Sequence, residues 1–120
     1  MSGSGEDRIE IVIDTNVLED IRDLMEDDFP DLVRRFLKDS VDLLDQIDQG
    51  IAKGDVDSVH RAAHTLKSSS AALGALALSE RAKHLEALGR SGVLTGAEAE
   101  AAAAHVQLAR VKEHLERQIE

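Results

Sequence analysis

The sequence of 120 residues contains no cysteine, tryptophan or tyrosine, only one proline and only two phenylalanines. The lack of cysteine excludes disulfides, thiolate zinc sites and cysteine nucleophiles, and it is compatible with a reducing compartment. No apolar run approaches the roughly 18 residues of a membrane span, and we expect no signal peptide. We therefore expect a cytoplasmic protein whose single domain is stabilised by packing alone.

Positive charge is also scarce, since 14 lysines and arginines stand against 24 acidic residues and the net charge is −10. An acidic chain with 2% aromatic residues has little with which to bind phosphate backbones or stack on bases. We therefore expect neither nucleic acid nor a membrane as a partner. The imbalance lies in residues 1–60, whose net charge is −11, whereas residues 61–120 carry +1. An anionic ligand is expected to prefer the second half.

Apolar residues recur at spacings of three and four, which predicts amphipathic helices. Only Ile9, Ile11 and Ile13 alternate as in a strand, and they have no partner strand, so we interpret residues 1–13 as an extended arm that need not be ordered. A short helix follows a cap at Asp14 or Thr15. Three long helices are predicted over about 29–53, 56–73 and 75–89, and a fourth runs from a cap at Thr95 to 115 or 119. Residues 14–120 thus predict an all-α fold, an antiparallel four-helix bundle of up-down-up-down topology with a short additional N-terminal helix.

Two further local features are predicted for these helices. The spacing of Thr95 and Glu98 is that of a capping box, which would open the last helix. The helix over 29–53 has a broad apolar face expected to be buried. Its members are Phe29, Val33, Phe36, Leu37, Val41, Leu44, Ile47 and Ile51.

One histidine is predicted to point away from the buried stripe of its helix. His64 lies opposite Leu66, on the same side as His60 and Ala71, and should face solvent. A neutral imidazole is a nucleophile and needs no auxiliary base. Lys67 lies three residues later, where its ammonium can meet a charge carried by His64, such as a phosphoryl group. The alternative is that an exposed histidine and lysine are solvated surface, and position alone favours that interpretation.

The residues around this pair favour the first interpretation. The segment 61–75 reads RAAHTLKSSSAALGA, in which Ala-His-x-Leu-Lys is followed by small residues and Gly-Ala. It resembles the signature of histidine phosphotransfer (HPt) domains. The resemblance covers about residues 14–117 and includes Phe29-Pro30, Phe36-Leu37, Gly54-Asp55 and Leu85-Glu86.

The resemblance implies a four-helix bundle that carries a phosphoryl group between the aspartates of two receiver domains. One receiver would belong to a hybrid sensor kinase and the other to a response regulator. The chain would be a phosphoryl carrier rather than an autonomous kinase, would hold no cofactor, and would rely on Mg²⁺ bound by the receiver. Apart from the resemblance, we expect a monomer, although an exposed helix face could also mediate a dimer.

The resemblance also implies roles for particular residues. His64 would be the phosphoryl acceptor, modified to phosphohistidine, and Lys67 would steady the phosphoryl oxygens. Ser68 stands where the family very often has glycine, which gives the partner and the phosphoryl group close access. The serine leaves the fine tuning of that access in doubt. Glu86 matches a Gln or Glu that in some relatives bonds the other imidazole nitrogen, although a surface ion pair with Arg90 is an alternative. The residues expected to contact the partner or the phosphoryl group are Arg61, Ser68, Ala71, Gly74, Glu86 and Arg90.

Other functions are weaker. Asp57, His60 and His64 could converge on a metal, but a further strong ligand is hard to find, so we expect no metal site. A kinase or hydrolase lacks support because no glycine-rich phosphate loop or Ser-His-Asp set is identifiable. A helical adaptor that docks receiver domains without accepting phosphate remains an alternative, because fold alone does not prove function.

Overall fold

The computed structural model describes residues 11–120, which form five α-helices and no strand. They are α1 (Thr15–Met25), α2 (Phe29–Lys53), α3 (Val56–Ala72), α4 (Leu76–Ser91) and α5 (Ala97–Gln118), with one 3₁₀ turn at Glu26–Asp28. Helix α3 packs on α2 and α4, and α5 packs on α4 and α2. This arrangement confirms the predicted four-helix bundle with a short extra helix before it. Within residues 11–120, no helix is both long and apolar enough to span a membrane.

Most helix ends lie where the capping signals predict them. The Asp14 carboxylate accepts hydrogen bonds from the backbone of Asn16 and Val17, and Asp55 accepts one from the backbone of Ser58. Gly54 ends α2 with φ +70°, a conformation that costs glycine least. Helix α3 ends one residue before the predicted boundary, whereas α4 begins one residue after its predicted start and extends two residues beyond its predicted end.

Two local predictions are wrong. The capping box is absent, because Gly96 with φ +88° precedes α5 and no side chain accepts a hydrogen bond from the first turn. Val41 is 57% exposed, whereas its neighbour Ser40 is 1% exposed. The buried stripe of α2 follows the helical period through residues 36, 40 and 44, so Val41 falls outside it although it is apolar.

The core between the four long helices consists of aliphatic side chains. Fully buried members are Val33, Leu44, Ile47, Leu66, Leu78, Leu85, Val111 and Leu115. The contact between α3 and α4 is the most extensive in the bundle. Leu66 and Leu85 anchor these two helices in the core, so their outward sides hold a defined position relative to each other.

Helix α1 docks on the connection between α3 and α4. The backbone NH of Asp14 donates to the Gly74 carbonyl at 2.8 Å, and the NH of Ala77 donates to the Ile11 carbonyl at 2.8 Å. Gly74 has φ +86°, and a Cβ at this position would lie 3.0 Å from the Asp14 carbonyl oxygen and 3.1 Å from Cβ of Val17. The lack of a side chain therefore permits both the turn and the docking of α1. Residues 1–10 of the predicted arm lie outside the described part of the chain.

We expect Gly74→Ala to destabilise the protein more than Gly92→Ala. Both glycines have positive φ, so alanine at either position carries a left-handed penalty of about 1–2 kcal/mol. Only Gly74 also has close neighbours, since nothing lies within 4 Å of a Cβ at Gly92. Urea unfolding followed by circular dichroism should show an additional loss of about 1 kcal/mol for Gly74→Ala. Equal losses would contradict the close docking of α1.

Candidate functional site

The outward side of α3 presents His64 to solvent. The opposite side of this helix is buried through Val59, Ala63 and Leu66, which fixes the rotation of α3 about its axis. As a result the His64 side chain is 60% exposed, as the sequence predicts. The exposed ring is therefore accessible to a second protein.

A buried carboxylate on α4 holds the other edge of this ring. The Glu86 side chain is only 4% exposed, and its Oε2 lies 2.6 Å from Nδ1 of His64. Its Oε1 lies 2.6 Å from Nζ of Lys67, and Nη2 of Arg90 donates to Oε2 at 3.3 Å. The interpretation of Glu86 as a surface residue is wrong, because its carboxylate is enclosed between α3 and α4. Of the predicted site residues, the structure brings together His64, Lys67, Glu86 and Arg90.

These contacts determine the charge of Glu86 and which nitrogen of a neutral His64 ring carries the proton. The hydrogen bond from Lys67 lowers the pKa of Glu86 most, burial opposes it, and the bond with His64 lowers it further, so that the pKa falls from 4.5 to about 2. Glu86 is therefore ionised at neutral pH and can only accept hydrogen bonds. When the ring is neutral, Nδ1 must carry its proton toward Glu86, which leaves the lone pair on Nε2.

His60 lies one turn before His64 but forms no hydrogen bond with the carboxylate. Its Nε2 is 4.0 Å from Oε2 of Glu86, and the centroids of the two imidazole rings are 6.5 Å apart. Within residues 11–120, no three His, Asp or Glu side chains are grouped so that they could hold a metal ion. The alternative of a metal site at Asp57, His60 and His64 thus gains no support from this part of the chain.

The remaining predicted site residues are dispersed. Ser68 and Ala71 are exposed on α3 after His64. Arg61 is also exposed, but it lines a polar depression with Lys53 and Asp55 at the start of α3. Gly74 is buried under α1. Its surroundings favour a structural role.

Sequence analysis missed one contact that stabilises the site. The Ser79 hydroxyl on α4 donates to the backbone carbonyl of Lys67 at 2.9 Å, which ties the first turn of α4 to α3. Ser79 is seven residues, about two helical turns, before Glu86 and so lies on the same side of α4. The helical period indicates from the sequence that Ser79 and Glu86 share a side of α4. That the carbonyl of Lys67 accepts the hydrogen bond is evident only in the folded chain.

The lowered pKa of Glu86 predicts a pH-dependent contribution to stability. The ionised form stabilises the folded protein fully above pH 4.5, and this contribution is lost as the pH falls from 4.5 to about 2. We therefore expect the unfolding free energy of the wild type to exceed that of Glu86→Gln above pH 4.5. The difference should decrease below that pH in urea titrations. A difference that does not change with pH would contradict the assigned environment of Glu86.

Comparisons with known proteins agree with this architecture. A model of the Hpt domain family matches residues 31–119, which include α3, α4 and the four clustered side chains. The crystal structure of histidine-containing phosphotransfer protein B from Pseudomonas aeruginosa PAO1 is similar with a TM-score of 0.88 and 28% sequence identity. The alignment covers 91% of this chain and 95% of that one. No curated protein matches the sequence. Because the family model matches most of its length, the chain belongs to the Hpt domain family.

Proposed function

We propose that this chain transfers phosphoryl groups, with His64 accepting one from a receiver aspartate and passing it to the aspartate of a second receiver. Membership of the Hpt family supports a phosphotransfer protein in a phosphorelay rather than an autonomous kinase. The observation that carries the assignment to His64 is its exposed ring, whose Nδ1 is bonded to the buried carboxylate of Glu86. This bond directs the nucleophilic lone pair outward.

The transfer step follows from this arrangement. Nε2 of His64 attacks the phosphorus of the aspartyl phosphate, an N–P bond forms, and the P–O bond to the aspartate breaks. The electron pair of that bond leaves with the aspartate carboxylate. The proton on Nδ1 stays in place, because the ionised Glu86 accepts its hydrogen bond and stabilises the positive charge that develops on the ring. Transfer to the second receiver reverses these bond changes.

Lys67 is placed to stabilise the phosphoryl oxygens. Its ammonium has three N–H groups, and one of them is sufficient for the contact with Oε1 of Glu86. The side chain is 32% exposed and lies one turn after His64. Its remaining N–H groups can therefore reach the oxygens of a phosphoryl group bonded to Nε2 of His64. Together the positive charges of Lys67 and Arg90 offset the negative charge of Glu86 before the phosphoryl group brings further negative charge to the site.

The partners in this proposal are receiver domains of a hybrid sensor kinase and of a response regulator. The exposed small residues Ser68 and Ala71 leave a low surface beside His64, over which a receiver could approach. Phosphoryl transfer depends mainly on positioning and charge neutralisation, and the receiver would contribute Mg²⁺ to the latter. This chain would act without a cofactor of its own and as a monomer.

The first test is transfer of label from a phosphorylated receiver domain. We expect the wild type to become labelled in an acid-labile and base-stable form, and His64→Gln to accept no label. His105→Gln is a matched control, because His105 on α5 is also exposed and also bonded to a carboxylate, that of Asp48 at 2.8 Å. It should accept label as the wild type does. Undiminished labelling of His64→Gln would refute the assignment, and receiver binding without labelling of the wild type would favour the adaptor alternative.

The second test concerns Lys67. Removing a charged donor to the transferring group should slow transfer by about 10- to 100-fold in Lys67→Ala, the rate equivalent of one hydrogen bond to a charged group. Helix content should stay unchanged, because this side chain is not part of the core. Lys112→Ala, at an exposed position on α5, serves as the control and should transfer at the wild-type rate. Rapid-quench rates that are equal for both variants would exclude a role for Lys67 in transfer.

A further inference from the structure

Gly89 is the point of closest approach between α4 and α3 near the site. It is buried, and a Cβ at this position would lie 2.6 Å from the backbone nitrogen of His60 and 2.9 Å from its Cα. Both neighbours are backbone atoms, so no change of rotamer could relieve the overlap. Since favourable carbon contacts lie near 3.5–4.0 Å, a side chain would force α4 about 1 Å away from α3.

This close approach is adjacent to the contact that orients His64. Gly89 is one turn after Glu86 on α4, and His60 is one turn before His64 on α3. The two contacts therefore join the same pair of helices in neighbouring turns. On the other side of Glu86, the Ser79 hydroxyl holds α4 to the Lys67 carbonyl. A displacement at Gly89 would thus open the helices from one end and move the Glu86 carboxylate away from the ring.

Building on the phosphotransfer function proposed above, we propose that Gly89 is a positioning residue for phosphoryl transfer. Its lack of a side chain sets the spacing of α3 and α4 at which Glu86 reaches His64 and Lys67 simultaneously. Both of these contacts are 2.6 Å long, so a retreat of α4 by about 1 Å would lengthen them beyond ordinary hydrogen-bond distance. Gly89 acts through Glu86 and does not touch the reacting atoms.

The test is the transfer rate of Gly89→Ala from a phosphorylated receiver domain. Misplacement of a positioned group by 1 Å can cost up to about 100-fold, and we expect about tenfold because Gly89 acts indirectly. Gly50→Ala is the matched control. Gly50 is also a helical glycine packed against α3, and a Cβ there would lie 2.8 Å from a methyl of Val59 and 3.3 Å from the carbonyl oxygen of Asp55. Because Gly50 is on α2, its replacement strains the contact between α2 and α3 and not the one between α3 and α4. Gly50→Ala should transfer within about twofold of the wild type.

A second measurement separates positioning from general packing. If Gly89 acts through Glu86, Gly89→Ala should slow transfer little further in a Glu86→Ala background, in which no side chain reaches the His64 ring from this position. In addition, NMR titration of the Glu86 carboxyl should show its pKa rising from about 2 toward 4.5 in Gly89→Ala. Equal slowing by Gly50→Ala, full additivity with Glu86→Ala, or an unchanged Glu86 titration would overturn the proposal.

Two further outcomes are decisive. If Gly89→Ala does not fold, Glu86→Asp tests the same dependence on the distance between the carboxylate and α3, because it retracts the carboxylate by one methylene. It should then slow transfer by a similar factor, and a wild-type rate would overturn the proposal. If the wild type accepts no label, the phosphotransfer function fails. The NMR titration in Gly89→Ala then decides by itself whether Gly89 holds Glu86 against Lys67 and His64.

Discussion

The buried carboxylate of Glu86 is the interaction on which the site depends. An ionised carboxylate is costly to remove from water unless charged donors surround it. Lys67 and Arg90 supply charged donors and the His64 ring adds an N–H, and two of these three groups come from the neighbouring helix. The same contacts that make the buried charge tolerable therefore orient the imidazole. Stabilisation of the α3–α4 interface and orientation of the His64 ring are two consequences of one arrangement.

The rigidity of the bundle makes this arrangement possible. The core between the helices is composed of Leu, Ile, Val and Ala, and close-packed side chains of this kind resist small displacements. The functional groups lie on helices rather than on loops, so their separation is fixed by helix packing. Gly89 and Ser79 act on that separation from opposite sides of Glu86. A small region of backbone contact thus controls a hydrogen bond one turn away.

The distribution of charge separates α3 and α4 from the rest of the molecule. The chain has a net charge of −10, yet α3 and α4 each carry +1. The acidic excess lies mainly in the N-terminal half, where pairs such as Lys38 with Asp42 are exposed and contribute little to stability. A nearly neutral or slightly basic surface around His64 would suit the anionic phosphoryl group and the receiver domain of the proposed function.

Several features could be predicted from the sequence because they depend on neighbouring residues. Apolar periodicity, the caps at Asp14 and Asp55 and the glycine at position 54 determined the helices and their order, and the period of α3 determined the exposure of His64. Predictions from local patterns were wrong at two positions. Thr95 does not cap α5, because a turn at Gly96 precedes that helix, and Val41 is exposed, because the packing of α2 buries a stripe that does not include it. Only the tertiary structure decided that Glu86 is buried, that it binds His64 and Lys67 at once, and that Gly89 meets the backbone of His60. These contacts join residues about 20 or more positions apart, and their lengths depend on the spacing of two helices, which no local pattern specifies.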